Sequence, residues 1–196
     1  IGNGYLGYRG TFPDWRSREF AGCFVSGTYD NAVGKWAELV NAPNALFVCL
    51  EVDGCQRPFT EMLLQEVEGR GPGRFNLQSG MLEEHFKLAV AGESVLEINC
   101  ERFASYEDLH IIPMSLQLKA LAGVKLVLYT GIDTDTWNLN GNHLPCLTAN
   151  VEQRFISVTG VTGQSGLEVA VIEGHNLRGR EPQQAELLEE DGLVLR

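Results

Sequence analysis

Apolar and polar residues alternate along most of this chain with a period of two, the mark of β-strands that bury one face. Leu46, Val48, Leu50 and Val52 fall on one face and Phe47, Cys49 and Glu51 on the other, and Asp53-Gly54 closes the run with hairpin-turn chemistry. Gln56 to Phe59 is then the short return strand. Leu82, Phe86, Leu88 and Val90 alternate with Glu83, His85, Lys87 and Ala89. Beyond Ala91, Gly92 and Glu93, the residues Leu96, Ile98 and Cys100 alternate with Val95, Glu97, Asn99 and Glu101, which predicts a second hairpin. Ile112, Met114, Leu116 and Leu118 against Ser115, Gln117 and Lys119, then Val124, Leu126 and Leu128 against Lys125, Val127 and Tyr129, predict a third.

Further strands are expected over 24–29, 151–159 and 167–172, with a last one from 193. Between them stand breakers. Asp30-Asn31 is a turn pair, Pro43 pins an extended segment, the GRGPG run over 69–73 is a loop tip, and 130–147 is polar and turn-rich. Residues 59–64 can start a helical turn. Over 182–192, a proline at a permissible first-turn position, a run of acidic residues and a closing glycine predict one short helix. Short strands joined by Gly, Asn and Asp turns make an all-β, antiparallel two-sheet sandwich with at most one or two short helices. A chain of 196 residues fits a single domain over 1–196.

Composition narrows the function classes. The net charge of −11, with 15 basic residues scattered along the chain, argues against nucleic acid, whose affinity comes from clustered Lys and Arg. No apolar run approaches the roughly 20 residues of a membrane-spanning helix. Cys23, Cys49, Cys55, Cys100 and Cys146 form an odd set with no C-x-x-C pair, so a disulfide framework is not expected and a reducing, cytoplasmic compartment is. His85, His110, His143 and His175 share no metal-ligand spacing, and no metal or organic cofactor is expected. Glu83, Glu84, Asp133 and Asp135 are near neighbours, as some of 26 carboxylates must be, and solvated strand and loop faces account for them.

Gly2, Gly4 and Gly7 fit the dinucleotide-binding regular expression, but no strand precedes them and loop chemistry follows, so the context rejects it. Two tryptophans draw attention. Trp15, between Arg16, Arg18 and Pro13, reads as an exposed aromatic able to stack on a pyranose, or equally as a core-edge residue under snorkelled arginines. Trp137, among Asn138, Asn140 and Asn142, reads as a sugar-binding rim or as a plain solvent loop.

The segments IGNGYLGYRG (1–10), FVSGTYD (24–30), ELVNAPN (38–44), FNLQSGML (75–82) and ERFASY (101–106) resemble, in order and spacing, the amino-terminal domain of the family 65 glycoside hydrolases and phosphorylases. Ala45 and Phe47 stand where that family carries bulkier packing, and from about Val151 the likeness is one of strand pattern. The resemblance implies a galactose-mutarotase-like super-sandwich that precedes an (α/α)6 catalytic barrel absent from this chain. It implies an enzyme that cleaves an α-linked glucose disaccharide of maltose, trehalose or kojibiose type with inorganic phosphate, giving β-glucose 1-phosphate, often as a homodimer. A trehalase-type hydrolase of the same family, or a free-standing carbohydrate-binding module, are the alternatives. The resemblance places the general acid and the phosphate-holding residues on the barrel, so no catalytic residue falls on this chain. Asn3, Tyr5, Arg9, Tyr29, Asp30, Glu38 and Asn41, in the segments of closest likeness, are candidates either for fixing tight turns or for docking the barrel at the rim of its sugar pocket, with Trp15 and Trp137 as further carbohydrate candidates.

Overall fold

A computed structural model describes residues 1–9, 12–32, 34, 36–64, 73–152, 155–179, 188–190 and 192–195. The strands follow as β1 Leu6–Arg9, β2 Gly22–Asp30, β3 Glu38–Ala42, β4 Asn44–Val52, β5 Cys55–Gln56, β6 Leu63–Leu64, β7 Gly73–Asn76, β8 Met81–Val90, β9 Glu93–Arg102, β10 Met114–Ala120, β11 Leu126–Asp133, β12 Leu147–Glu152, β13 Phe155–Val161, β14 Glu168–Gly174, β15 Leu188–Glu190 and β16 Leu193–Leu195. Two 3-10 turns, Ser17–Glu19 and Phe59–Glu61, are the helical pieces among the described residues. The all-β, antiparallel fold expected from the alternation is the fold observed. The chain forms two compact units, Ile1–Gly7 with Cys49–Leu128 and Tyr8–Val48 with Tyr129–Arg196, and passes between them within β1, β4 and β11.

In the first unit β8, β9 and β10 form an antiparallel meander, with β6 and β7 on the outer edge of β8. Register puts Phe86 opposite Ile98 and Leu118 opposite Ile98 on its other side, so one face is a row of apolar side chains. On the opposite face Lys87 and Lys119 flank Glu97 at 3.8 and 3.0 Å. Such cross-strand pairs fix register by matching like face to like face. Phe59 packs edge-on against Phe86, ring centroids 5.0 Å apart, and both are fully buried.

The apolar face carries one exception. Glu84 and Arg102 lie on it diagonally across β8 and β9, and the Arg102 guanidinium pairs with the Glu84 carboxylate while wholly buried. Burial pushes the Glu84 carboxyl above its ordinary value, and the Arg102 charge offsets only part of that.

Several boundaries differ from expectation. The third hairpin does not form: β10 pairs with β9, Met114 opposite Arg102 through Ala120 opposite Leu96, and β11 pairs with β16, Gly131 opposite Leu195. Alternation marks both strands but carries no information about partners. The loop 103–113 decides the matter, because its carbonyls at Ser105 and Leu109 are braced by Asn3, which turns β10 back onto β9. The return strand over 56–59 shrinks to Cys55–Gln56, since Pro58 has no N–H for a ladder and caps the turn that buries Phe59. The strand over 151–159 is two, β12 and β13, paired Val151 to Ile156. Of the helix expected over 182–192, residues 182–187 lie outside the described set, while Leu188–Glu190 is a strand paired to β16. The loop tip over 69–73 lies outside the described residues except Gly73, which opens β7.

In the second unit β12, β13 and β14 make a three-stranded meander, and β2 pairs with β3. Among the described residues its core includes two apolar clusters, Val40 with Ala42, Leu144 and Val169, and Ile132 with Ile156 and Val158. Leu147 and Val171 pack against both and join them.

The turns at Asp53-Gly54 and Ala91-Gly92 hold both central residues at positive φ, 52° and 79° in the first, 53° and 88° in the second. That is the two-residue hairpin geometry, and Ala91 adopts a left-handed conformation costly to a residue with a plain Cβ. Ala91→Asn is therefore expected to stabilise the chain by about 1 kcal/mol, read as a higher urea midpoint with an unchanged slope; a lower midpoint would show that Ala91 is not strained.

Candidate functional site

Asp30 ends β2 and Glu38 begins β3, and the two stand directly opposite one another in the ladder. Like charges at one register position repel, so the pair requires a cation. His143 supplies it. Its Nδ1 lies 3.0 Å from Asp30 Oδ2 and its Nε2 lies 2.7 Å from Glu38 Oε1, with the ring 0% exposed. An imidazole with an acceptor at each nitrogen satisfies both only as imidazolium.

Backbone donors complete the cluster. Asp30 Oδ1 accepts the N–H groups of Gln164 and Ser165 at 3.1 and 2.6 Å. Glu38 accepts those of Leu139 and Asn140 at 3.2 and 2.7 Å, and the Asn140 amide donates to the Trp36 carbonyl at 2.8 Å. Burial alone favours the neutral carboxyl at Asp30, but the Ser165 N–H, His143 and Gln164 outweigh it and hold the group at about 2. Glu38 is held below its ordinary value against burial by His143 and the two backbone donors. Burial pulls the His143 imidazolium down, and the hydrogen bonds to Glu38 and Asp30 more than reverse this, leaving it above the usual value.

Asn41, 1% exposed, is the second fixed point. Its Oδ1 accepts from Cys23 N at 2.8 Å, its Nδ2 donates to the carbonyls of Ala21 and Trp137 at 3.3 and 3.1 Å, and its own N–H donates to Asn138 Oδ1 at 3.0 Å. The Trp137 indole donates to the Ala21 carbonyl at 2.8 Å and packs edge-on to Phe20 at 5.3 Å. Trp137 is thus pinned on both ring face and nitrogen rather than carried on a loose polar loop. The Arg9 guanidinium lies 5.7 Å over the Phe20 ring.

The remaining candidates are spread. In the first unit Asn3 uses all its side-chain groups, Nδ2 to the carbonyls of Ser105 and Leu109 and Oδ1 from the N–H groups of Tyr5 and Leu6, while the Tyr5 ring meets His110 edge-on at 4.6 Å. In the second, Trp15 is half-buried rather than exposed and packs edge-on against Phe12 at 5.2 Å, whereas Tyr29 is exposed. Of the carboxylates set aside in the sequence, Asp133 is buried and pairs with Arg16 at 3.0 Å, and Asp135 is exposed. A shallow depression of about 380 Å³ is lined by Thr134, Asp135, Thr136, Asn142, Leu144 and Leu147. Among the described residues no group of His, Cys, Asp and Glu is arranged to hold a metal ion.

The structure therefore gathers Asp30 with Glu38, and Asn41 with Trp137, as internal braces, and leaves Arg9 and Tyr29 facing outward. Sequence reasoning missed His143, which lies more than a hundred residues from both its partners, and Phe20, the ring between Arg9 and Trp137. No local spacing could have found either.

The family profile described as Glycosyl hydrolase family 65, N-terminal domain, matches residues 1–194. The chain belongs to this family. The family 65 domain is 38% identical over 144 residues to the 1,2-alpha-glucosylglycerol phosphorylase of Bacillus selenitireducens, covering 74% of this chain and 18% of that protein. It is 32% identical over 145 residues to the nigerose phosphorylase of Lachnoclostridium phytofermentans, 73% of this chain and 18% of that one. Among solved structures, a provisional kojibiose phosphorylase from the human microbiome matches with a TM-score of 0.80 at 13% identity, over all of this chain and 26% of the other, a likeness of fold. The domain spans about a fifth of the length of the curated relatives it matches.

Proposed function

We propose that this domain is the non-catalytic amino-terminal part of an inverting α-glucoside phosphorylase. The match of residues 1–194 to the family's N-terminal domain carries the proposal, and the phosphorylases among its relatives favour phosphate over water as the attacking group. In such an enzyme a general acid carboxyl protonates the glycosidic oxygen while phosphate attacks the anomeric carbon from the opposite face, releasing β-glucose 1-phosphate. The family resemblance assigns those groups to an (α/α)6 barrel, and in keeping with this the buried carboxylates here, Asp30, Glu38, Glu84 and Asp133, are committed to internal partners. The domain's part is to support and dock the barrel, with Arg9 and Tyr29 as outward-facing contacts. A homodimer, no organic cofactor and a cytoplasmic setting complete the proposal; five free thiols favour the last.

The test is to incubate the full-length protein with glucosylglycerol, nigerose, kojibiose, maltose and trehalose, with and without inorganic phosphate, and to assay β-glucose 1-phosphate. Phosphate-dependent product from one of them is expected. Glucose release that ignores phosphate would make the protein a hydrolase. Saturable quenching of tryptophan emission by these sugars in this chain alone, with no cleavage by the full-length protein, would make it a carbohydrate-binding module.

A further inference from the structure

The Asp30–His143–Glu38 cluster is asymmetric, and the asymmetry determines what it does when the proton balance changes. Asp30 has two backbone N–H donors besides the imidazole, both from the turn at Gln164 and Ser165. That turn is further closed by the Thr162–Ser165 hydroxyl contact at 2.7 Å and by Gly163 N donating to the His143 carbonyl at 3.0 Å. Glu38 also has two backbone donors, Leu139 N on Oε2 and Asn140 N on Oε1, but its side chain is longer, 12% of it is exposed, and Oε1 serves both His143 Nε2 and Asn140 N. Asn140 in turn donates to the Trp36 carbonyl. Trp36 is 64% exposed and Leu139 is 74% exposed, so the backbone held through Glu38 carries two large apolar side chains open to solvent.

We propose that His143 is a proton-dependent latch: while the imidazole carries both protons it locks Leu139 and Asn140, and through Asn140 the Trp36 carbonyl, to the start of β3, and when one proton leaves, that side lets go. The charged groups facing His143 are Asp30 from β2 and Glu38 from β3; the 162–166 turn offers it only a backbone N–H and uncharged side chains. A neutral imidazole keeps one N–H and turns a lone pair on the other carboxylate at 3.0 Å or less. Glu38, with the longer side chain and 12% of it open to solvent against 1% for Asp30, is the one that yields, so the remaining proton stays on Nδ1 toward Asp30. Asp30 keeps its bonds to Gln164 and Ser165, and the turn stays closed.

The sign follows from linkage. The imidazolium is favoured in the folded state, so its contribution is complete below the unfolded value of about 6.5 and is lost as pH rises through the higher folded value. The carboxylates act oppositely, their contribution being lost only as pH falls through their depressed values. The latch is closed between these limits and opens on the alkaline side.

Amide exchange of the full-length protein, corrected for intrinsic rates and followed from pH 6 to pH 10, tests this. Protection of the Leu139 and Asn140 amides is expected to fall at least tenfold across one single-proton transition above 6.5, while 162–166 and the β8–β9 ladder keep theirs. In His143→Gln, protection of these two amides should be low at every pH and the transition absent. Were that variant to misfold, the wild-type profile alone decides. The proposal is overturned by protection of these two amides that tracks 162–166 at all pH values, or by a 13C-histidine spectrum showing His143 neutral at pH 6.

Discussion

Replacing Arg102 by methionine is expected to cost about 3–5 kcal/mol, a large fraction of the roughly 5–15 kcal/mol that holds a domain folded. The cause lies in what remains. Arg102 is fully buried on the apolar face of the β8–β9 ladder, and its loss leaves the Glu84 carboxylate on that face without its cation. Glu84 already sits above its ordinary value because of burial, and without Arg102 it moves higher still and folds as the neutral acid. The penalty should thus grow with pH: small near pH 4.5, where the unfolded carboxyl also binds its proton, and full once the pH exceeds the folded value. The double replacement Arg102→Met with Glu84→Met removes both charges and is expected to recover to within about 1 kcal/mol of the parent, since apolar side chains of like volume replace buried ion pairs at little cost. Urea unfolding of the parent, Arg102→Met and the double variant at pH 5 and pH 8 checks both parts. A single variant that loses less than 1 kcal/mol at pH 8, or a double variant no better than the single, would mean that the pair is hydrated rather than buried.

That pair also marks where sequence reading stops. The alternation over 82–90 and 95–101 located β8 and β9 and their turn to within two residues, because side-chain direction in a strand is local and a two-residue turn announces itself through glycine. The same alternation did not place Glu84 and Arg102 on the buried face, since an apolar stripe with a charge in it looks like a break in the stripe until its partner strand is known. Partner choice is the general gap. Strand β11 was legible only as far as Tyr129; its continuation to Asp133, inside the stretch read as turn-rich, and the pairing of Gly131–Asp133 to Leu193–Leu195 were not, because a strand's edges are satisfied by whatever the loops bring near. The family likeness was legible across about two thirds of the chain from glycine, asparagine and aromatic spacing, and the match over residues 1–194 bears it out. The candidate residues it pointed to were partly gathered by the fold, but the atom that binds Asp30 to Glu38 comes from His143, which carries no signal at that separation. Long-range polar contacts of this kind leave only one trace in sequence, a charge where a strand end should be bland.

Asn41→Leu carries the second large effect, about 3 kcal/mol or more of lost stability. Leucine matches asparagine in reach and fills the site, so the loss comes from polarity and not from a cavity. Three groups lose their partner at once, the Cys23 N–H, the Ala21 carbonyl and the Trp137 carbonyl, in a place 1% exposed where water does not replace them. Each such group costs roughly 1–3 kcal/mol when buried without a partner, and the Ala21 carbonyl is spared part of that by the Trp137 indole. Asn41→Asp should be comparably harmful, because a carboxylate then faces the carbonyls to which Nδ2 donated. Asn41→Ser, too short to span from Cys23 to Trp137, should rescue little. Unfolding of the three variants separates bracing from sugar contact: a brace predicts large stability losses with tryptophan emission shifted to the red as the Trp137 ring loses its seat on Phe20. A residue serving only sugar would leave stability and emission as they are and change disaccharide turnover by the full-length protein alone. With every polar atom of the Asn41 side chain spent inside the fold, the first outcome is the expected one.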